Sequence, residues 1–225
     1  MNELTFLGNG SAFHYGAYNT AAYFFSEETL IIFDCGESIC NRLIKLGVLT
    51  KADKICVFIT HTHSDHIGSL EALIYYNEKF LHKEFHIFYP RAARLKQLLK
   101  LTGVDFPFEI EQVPNELAGY KIDCVPQKHI PFSYGFFFYG EFSFFYSGDT
   151  CKINPRAVNE LNSGKIDRIY HEATCSSSPI HTHISELKRA FPTPIRDKVC
   201  LMHFDSDEFM KECEADGFLV AEVNE

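Results

Sequence analysis

Residues 61–66 read His61-Thr62-His63-Ser64-Asp65-His66, between the apolar run Cys56–Ile59 and a helical pattern that starts at Ile67. The turn at a strand's end projects side chains into a crevice. In extended backbone, residues two apart point the same way, so His61 and His63 share a direction. Asp65 and His66 fall at the start of the helix and can face a second point. Four potential ligands so close together are costly to pack unless a cation uses them. Imidazole nitrogen and carboxylate oxygen suit zinc, with manganese or iron as alternatives. The competing reading is an exposed histidine-rich turn.

Outward from this turn, short apolar runs alternate with helical patterns. Leu30–Phe33, Ile55–Ile59, Phe85–Tyr89, Phe136–Phe138, Phe142–Tyr146, Ile166–Tyr170 and Val199–Met202 read as strands. From Ile67 to about Leu81, a helix would place Ile67, Leu70, Leu73, Ile74 and Phe80 on one face. Arg91–Thr102 would group Leu95, Leu98, Leu99 and Thr102 before Gly103. Asn154-Pro155 reads as a cap plus first-turn proline, opening a helix to Ser163. Ser206–Asp216 is a further helix, and Phe218–Val223 a last strand. Elements mixed in this way predict an α/β layered fold. The aromatic stretch Pro131–Ser147 reads as two buried strands joined through Gly140 rather than a substrate-stacking wall.

The chain has 225 residues, which suits a single domain over residues 1–225. Its 21 basic and 30 acidic residues give a formal charge of −9, against a long nucleic-acid partner. No apolar run approaches the ~18 residues of a membrane helix. The start lacks a basic segment followed by an apolar one, so the expectation is a cytoplasmic protein. Eight scattered cysteines with no C-x2-C pair read as reduced residues, mostly in the core.

The H-x-H-x-D-H run resembles the signature of the metallo-β-lactamase superfamily, and other landmarks follow in order. Phe33-Asp34-Cys35-Gly36 matches an early Asp-x-Gly. His129 matches a third histidine, and Ser147-Gly148-Asp149-Thr150 a Gly-Asp-Thr. His203 in Leu201-Met202-His203-Phe204 matches the last histidine. The resemblance implies an αββα sandwich. It assigns His61, His63 and His129 to one metal, Asp65, His66 and His203 to another, and Asp149 to both. Asp34 would orient a ligand histidine.

His171-Glu172-Ala173-Thr174, and then His181-Thr182-His183-Ile184-Ser185, are similar to motifs of transfer-RNA 3′-processing endonucleases, the tRNase Z family. By that likeness His181 or His183 donates a proton to the leaving oxygen, and Glu172 orients it. His171, Glu172 and Asp65 join the candidate catalytic set. Spacing to His203 prefers His181, whereas the local helix-start pattern is compatible with His183.

That family carries a long transfer-RNA-gripping arm between the third histidine and the bridging aspartate. Here 19 residues separate His129 from Asp149, and they read as strand, turn, strand. What remains is similar to small phosphodiesterases such as the anti-Pycsar enzymes, which hydrolyse cyclic mononucleotides. The resemblance therefore implies a two-zinc phosphodiesterase (manganese or iron as alternatives) for a small anionic substrate, acting as a homodimer. A tRNase Z-like RNA endonuclease and a lactam or thioester hydrolase are the rival activities. A diiron binding module is a rival of another class. Phe13, His14, Tyr15 and Tyr18, near Gly8-Asn9-Gly10, would stack a base, line a dimer contact or simply pack.

Overall fold

The structure, a computed structural model, describes residues 3–106 and 108–223. Two sheets face one another. The first holds six strands in sequence order: β1 (Thr5–Gly8), β2 (Ala21–Ser26), β3 (Thr29–Phe33), β4 (Lys54–Phe58), β5 (Glu84–Phe88) and β6 (Ile110–Glu111). The second runs in order from β7 (Glu116–Leu117) through β8 (Tyr120–Gln127), β9 (Ser133–Tyr139), β10 (Phe144–Tyr146), β11 (Arg168–Glu172) and β12 (Val199–Met202) to β13 (Leu219–Val220). Each sheet begins with antiparallel strands and then becomes parallel, over β3–β6 and over β10–β13.

Helices cover both outer faces. They are α1 (Ile39–Lys45), α2 (Ser64–Ile67), α3 (Leu70–Tyr76), α4 (Ala92–Leu101), α5 (Pro155–Asn162), α6 (Ile184–Ala190) and α7 (Asp207–Ala215). Strand parity distributes the core. Ile55 and Val57 on β4 pack with Leu43, Leu73 and Leu95 of the helices. Cys56 and Phe58, pointing the other way, enter the layer between the sheets with Phe136, Phe138, Phe144 and Tyr146. Phe137 and Phe145 face outward onto Ala157, Leu187 and Phe209. The result is the expected αββα arrangement. Pro131–Ser147 supplies buried strands, and the Phe33 ring stacks on Tyr146 at 4.6 Å.

The helix expected over 67–81 is broken. α2 and α3 are separate, and Asn77–Leu81 form a π turn ending at His82 in left-handed backbone. An i→i+5 turn advances the register by an extra residue, so Phe80 comes out 71% exposed rather than joining Leu73 and Ile74. In α4 only Leu95 and Leu99 reach the core, while Leu98 lies at the surface. The expected last strand shrinks to Leu219–Val220. All eight cysteines are free; five are buried, and Cys175 is exposed. No helix among the described residues is long and apolar enough to cross a membrane.

Candidate metal centre

The strands β3, β4, β8, β10, β11 and β12 bring their C-terminal ends to one edge, where the chain leaves the sheets in short turns. Open α/β sheets place ligands at such an edge. Asp34 follows β3, His61 follows β4, His129 follows β8 and Asp149 follows β10. Glu172 ends β11, and His203 follows β12. Asp34 and His203 both have left-handed backbone, with φ of 63° and 64°. Such strain is kept where the surroundings over-determine it.

Hydrogen bonds away from the centre fix the histidine tautomers. Buried Asp34 accepts from the Thr60 backbone N–H at 2.8 Å and from Thr60 Oγ1 at 2.8 Å. With its proton committed there, Thr60 Oγ1 accepts from His61 Nδ1 at 3.1 Å. His66 Nδ1 donates to Asp34 Oδ2 at 2.8 Å. His129 Nδ1 donates to the Ile180 carbonyl at 2.9 Å. The Nε2 atoms of His61 and His129 are thereby left as lone pairs, and they face His63 Nδ1 at 3.0 and 3.1 Å. Burial keeps His61, His63 and His129 below the ordinary imidazole range, hence neutral. Converging neutral nitrogens of this kind suit a cation better than they suit one another.

A second group comprises Asp65, His66, Asp149 and His203, all buried, with their donor atoms within 4.8 Å of one another. Oδ2 of Asp149 ties the groups together. It lies 3.4 Å from His66 Nε2 and from His203 Nε2, 3.7 Å from His129 Nε2 and 3.9 Å from His61 Nε2. Among the described residues it has no hydrogen-bond partner, and neither does His66 Nε2. Burial works upward on Asp149, but His203 and His66 hold its carboxyl well below the usual range. Asp65 is likewise depressed: burial opposes, and His203 and His66 outweigh it. Conversely, burial pulls His203 down, yet Asp149 and Asp65 lift it to about 9. The carboxylates call for positive charge at this point. Orphaned buried donors of nitrogen and oxygen therefore fit metal ions.

Beside this centre, His181 Nδ1 lies 3.3 Å from Glu172 Oε2 and 3.9 Å from Asp149 Oδ2. Glu172 Oε1 accepts from the backbone N–H groups of Thr150 at 3.1 Å and Thr182 at 3.0 Å. Burial and the nearby Asp149 carboxylate raise the Glu172 carboxyl above its ordinary range, with His181 opposing them. Burial opposes charge on His181, but the Glu172 carboxylate raises it above the ordinary imidazole value.

Two residues expected at the centre lie elsewhere. His183 caps α6: its Nδ1 accepts from the Ser185 backbone N–H at 3.2 Å, and its Nε2 lies 3.0 Å from the Cys175 carbonyl. His171 points to the opposite face of β11 from Glu172, the face of Ile169 and Ala173, because neighbouring strand residues alternate. Its Nδ1 donates to the Glu172 carbonyl at 2.7 Å, and burial lowers it to about 4.

Of the N-terminal aromatics, Phe13 lines the cavity over the metal-binding groups. His14 lies 3.5 Å from Asp207, the Arg42 guanidinium sits over the Tyr18 ring, and Tyr15 is exposed. Sequence reasoning passed over Thr60, whose signal is a hydroxyl directly before the first histidine. It also passed over Asp205, two residues beyond His203 in the cavity wall.

The architecture is shared with solved structures. A diphosphatase of the PhnP family superposes with a TM-score of 0.75 at 18% identity, covering 99% of this chain and 95% of its own. The metallo-β-lactamase fold protein YhfI from Bacillus subtilis gives 0.71 at 16%, covering 96% and 94%. The fold is that of the metallo-β-lactamase architecture, and the His/Asp cluster at its edge could hold metal ions. The family model of the anti-Pycsar protein Apyc1 matches residues 2–221, and this chain belongs to that family. The anti-Pycsar protein Apyc1 of Paenibacillus sp. (strain J14) is 26% identical over 224 residues, covering 91% of this chain and 90% of the relative.

Proposed function

We propose that this protein hydrolyses the phosphodiester of a small cyclic nucleotide with two metal ions, zinc in the first instance. In this reading His61, His63 and His129 hold one ion, Asp65, His66 and His203 hold the other, and Asp149 serves both. The observation that carries it is Asp149 Oδ2, orphaned among five imidazole nitrogens at 3.4–3.9 Å, four of them from the proposed ligands. A carboxylate so placed suits a pair of cations sharing it. Bound there, the ions would lower the pKa of water and neutralise charge on the phosphoryl oxygens.

The chain's own groups do the rest. Asp34 and Thr60 fix the rings of His66 and His61. Glu172 keeps His181 protonated through Nδ1, which leaves Nε2 to protonate the leaving oxygen. The homodimer and the cytoplasmic setting implied by the resemblance belong to the same proposal.

The relatives bear the name anti-Pycsar, and the short β9–β10 hairpin leaves no room for a transfer-RNA-gripping arm between His129 and Asp149. Both favour a small substrate over RNA. The test is a metal-loaded screen over bis-p-nitrophenyl phosphate, cyclic mononucleotides, cyclic dinucleotides and short RNA, repeated with Asp149→Ala. The expected result is turnover of cyclic mononucleotides that falls at least about a hundredfold in the variant, the scale of losing a transition-state charge stabiliser. Diester hydrolysis that survives Asp149→Ala contradicts the mechanism. Preference for RNA with a steep salt dependence contradicts the substrate class.

A further inference from the structure

The cavity over the metal-binding groups encloses about 440 Å³, the size of a small-ligand site. Its floor presents His63, Asp65, Asp149, His181 and His203. Above that floor the chemistry changes. None of the lining residues is lysine or arginine. The rest of the lining instead offers the hydroxyls of Ser11 and Ser176, the ring of Phe13 and one further carboxylate, Asp205. A second phosphate would meet no cation there and would be repelled by Asp205. A neutral group bearing hydrogen-bond donors would be accepted.

Asp205 is anchored through one of its two oxygens. Its Oδ2 accepts from Thr174 Oγ1 at 2.5 Å, and Thr174 Oγ1 in turn accepts from the Ser176 backbone N–H at 3.0 Å. Among the described residues Oδ1 takes part in no hydrogen bond or ion pair. A carboxylate oxygen accepts and never donates. We infer that Asp205 is the specificity-determining residue of this site, accepting a hydrogen bond from the neutral half of a one-phosphate substrate, beside the apolar Phe13 ring. The donor is an N–H of the base or a hydroxyl of the sugar. The inference rests on the phosphodiesterase reading and extends it from the reacting phosphate to the group that carries it.

Asp205→Asn is the informative change. Its amide oxygen can keep the Thr174 bond, which turns the NH2 group toward the cavity and replaces an acceptor by a donor. Values of kcat/KM are measured for both proteins on cyclic GMP, its 2′-deoxy analogue, base-free ribose 3′,5′-cyclic phosphate and bis-p-nitrophenyl phosphate. The variant is expected to lower the cyclic GMP value about tenfold or more relative to the nitrophenyl ester, the scale of one hydrogen bond to a charged group. If the sugar hydroxyl is the donor, the 2′-deoxy analogue is already poor for the unmodified protein and loses nothing further. If a base N–H is the donor, the base-free phosphate behaves in that way. Equal loss on all four probes, or no loss, overturns the inference and leaves the phosphodiesterase reading intact. Absence of turnover on every cyclic phosphate and the nitrophenyl ester overturns both. Should the variant fail to fold, the unmodified protein decides alone: equal turnover of the three cyclic phosphates contradicts the inference.

Discussion

Two histidines two residues apart, His181 and His183, differ in what their Nδ1 atoms face. One meets the Glu172 carboxylate; the other accepts a backbone N–H as a helix cap. Replacing each with alanine separates proton donation from capping. His181→Ala should lower kcat by about 10²–10⁴-fold, the range for a lost general acid, with little change in melting temperature. His183→Ala should leave turnover within a few-fold and cost about 0.5–2 kcal/mol of stability, read by urea denaturation, as a lost N-cap does. The opposite pattern would move the acid role to His183. The cap was legible as a helix start in His183-Ile184-Ser185-Glu186. The destination of His181 depends on Glu172, which β11 delivers from a different part of the chain. His171 was not separable from Glu172 in the sequence, because β11 is buried on both faces and carries no alternation to tell them apart.

Elements position these residues through close backbone approach. The turn after β3 meets α2, where the Cys35 backbone N–H donates to the His66 carbonyl at 2.7 Å. At Gly36 a Cβ would stand 1.9 Å from the Asp65 carbonyl oxygen, and backbone cannot step aside as a side-chain tip can. Gly36→Ala should therefore push α2, with Asp65 and His66, off the sheet edge. The expected outcome is a lower affinity for zinc in a calorimetric titration and a lower melting temperature. An unchanged zinc affinity would show that α2 holds its ligands without that contact. The strands that carry the donors were legible because apolar and β-branched residues dominate their runs, although Asp123 interrupts β8 and Asp167-Arg168 precede the core of β11. β1, β2 and α1 were not: β1 ends at Gly8, which nestles against the Asn19 carbonyl, a partner outside any local window. The π turn after α3 escaped for a similar reason, since its apolar spacing suits either register.

At the scale of the molecule, the interlocked aromatics between the sheets connect the two halves of the chain. Phe33 from β3 touches Phe138, Phe144 and Tyr146 of the other sheet at 4.6–6.0 Å between ring centres. Two halves sharing such a core should melt together, as one domain over residues 1–225 would. Calorimetry is expected to give one transition with matching calorimetric and van't Hoff enthalpies, where two resolved transitions would speak for separate units. Phe138→Ala should lower the stability of the whole by about 3–5 kcal/mol, rather than melting one sheet alone. The αββα layering was legible from the alternation of strand and helix patterns together with the ordered landmarks. The convergence of seven donors from four separate turns on one edge was legible only through the resemblance, because no spacing along the chain tells which strand ends meet.

The central claim is a pair of ions sharing Asp149. Its most direct test is the transition-metal content of protein purified without chelators, measured by elemental mass spectrometry alongside Asp149→Ala. Two equivalents per chain, with a clear deficit in the variant, are predicted. Protein that turns over a cyclic nucleotide while carrying no stoichiometric metal, or the same content with and without Asp149, would contradict it.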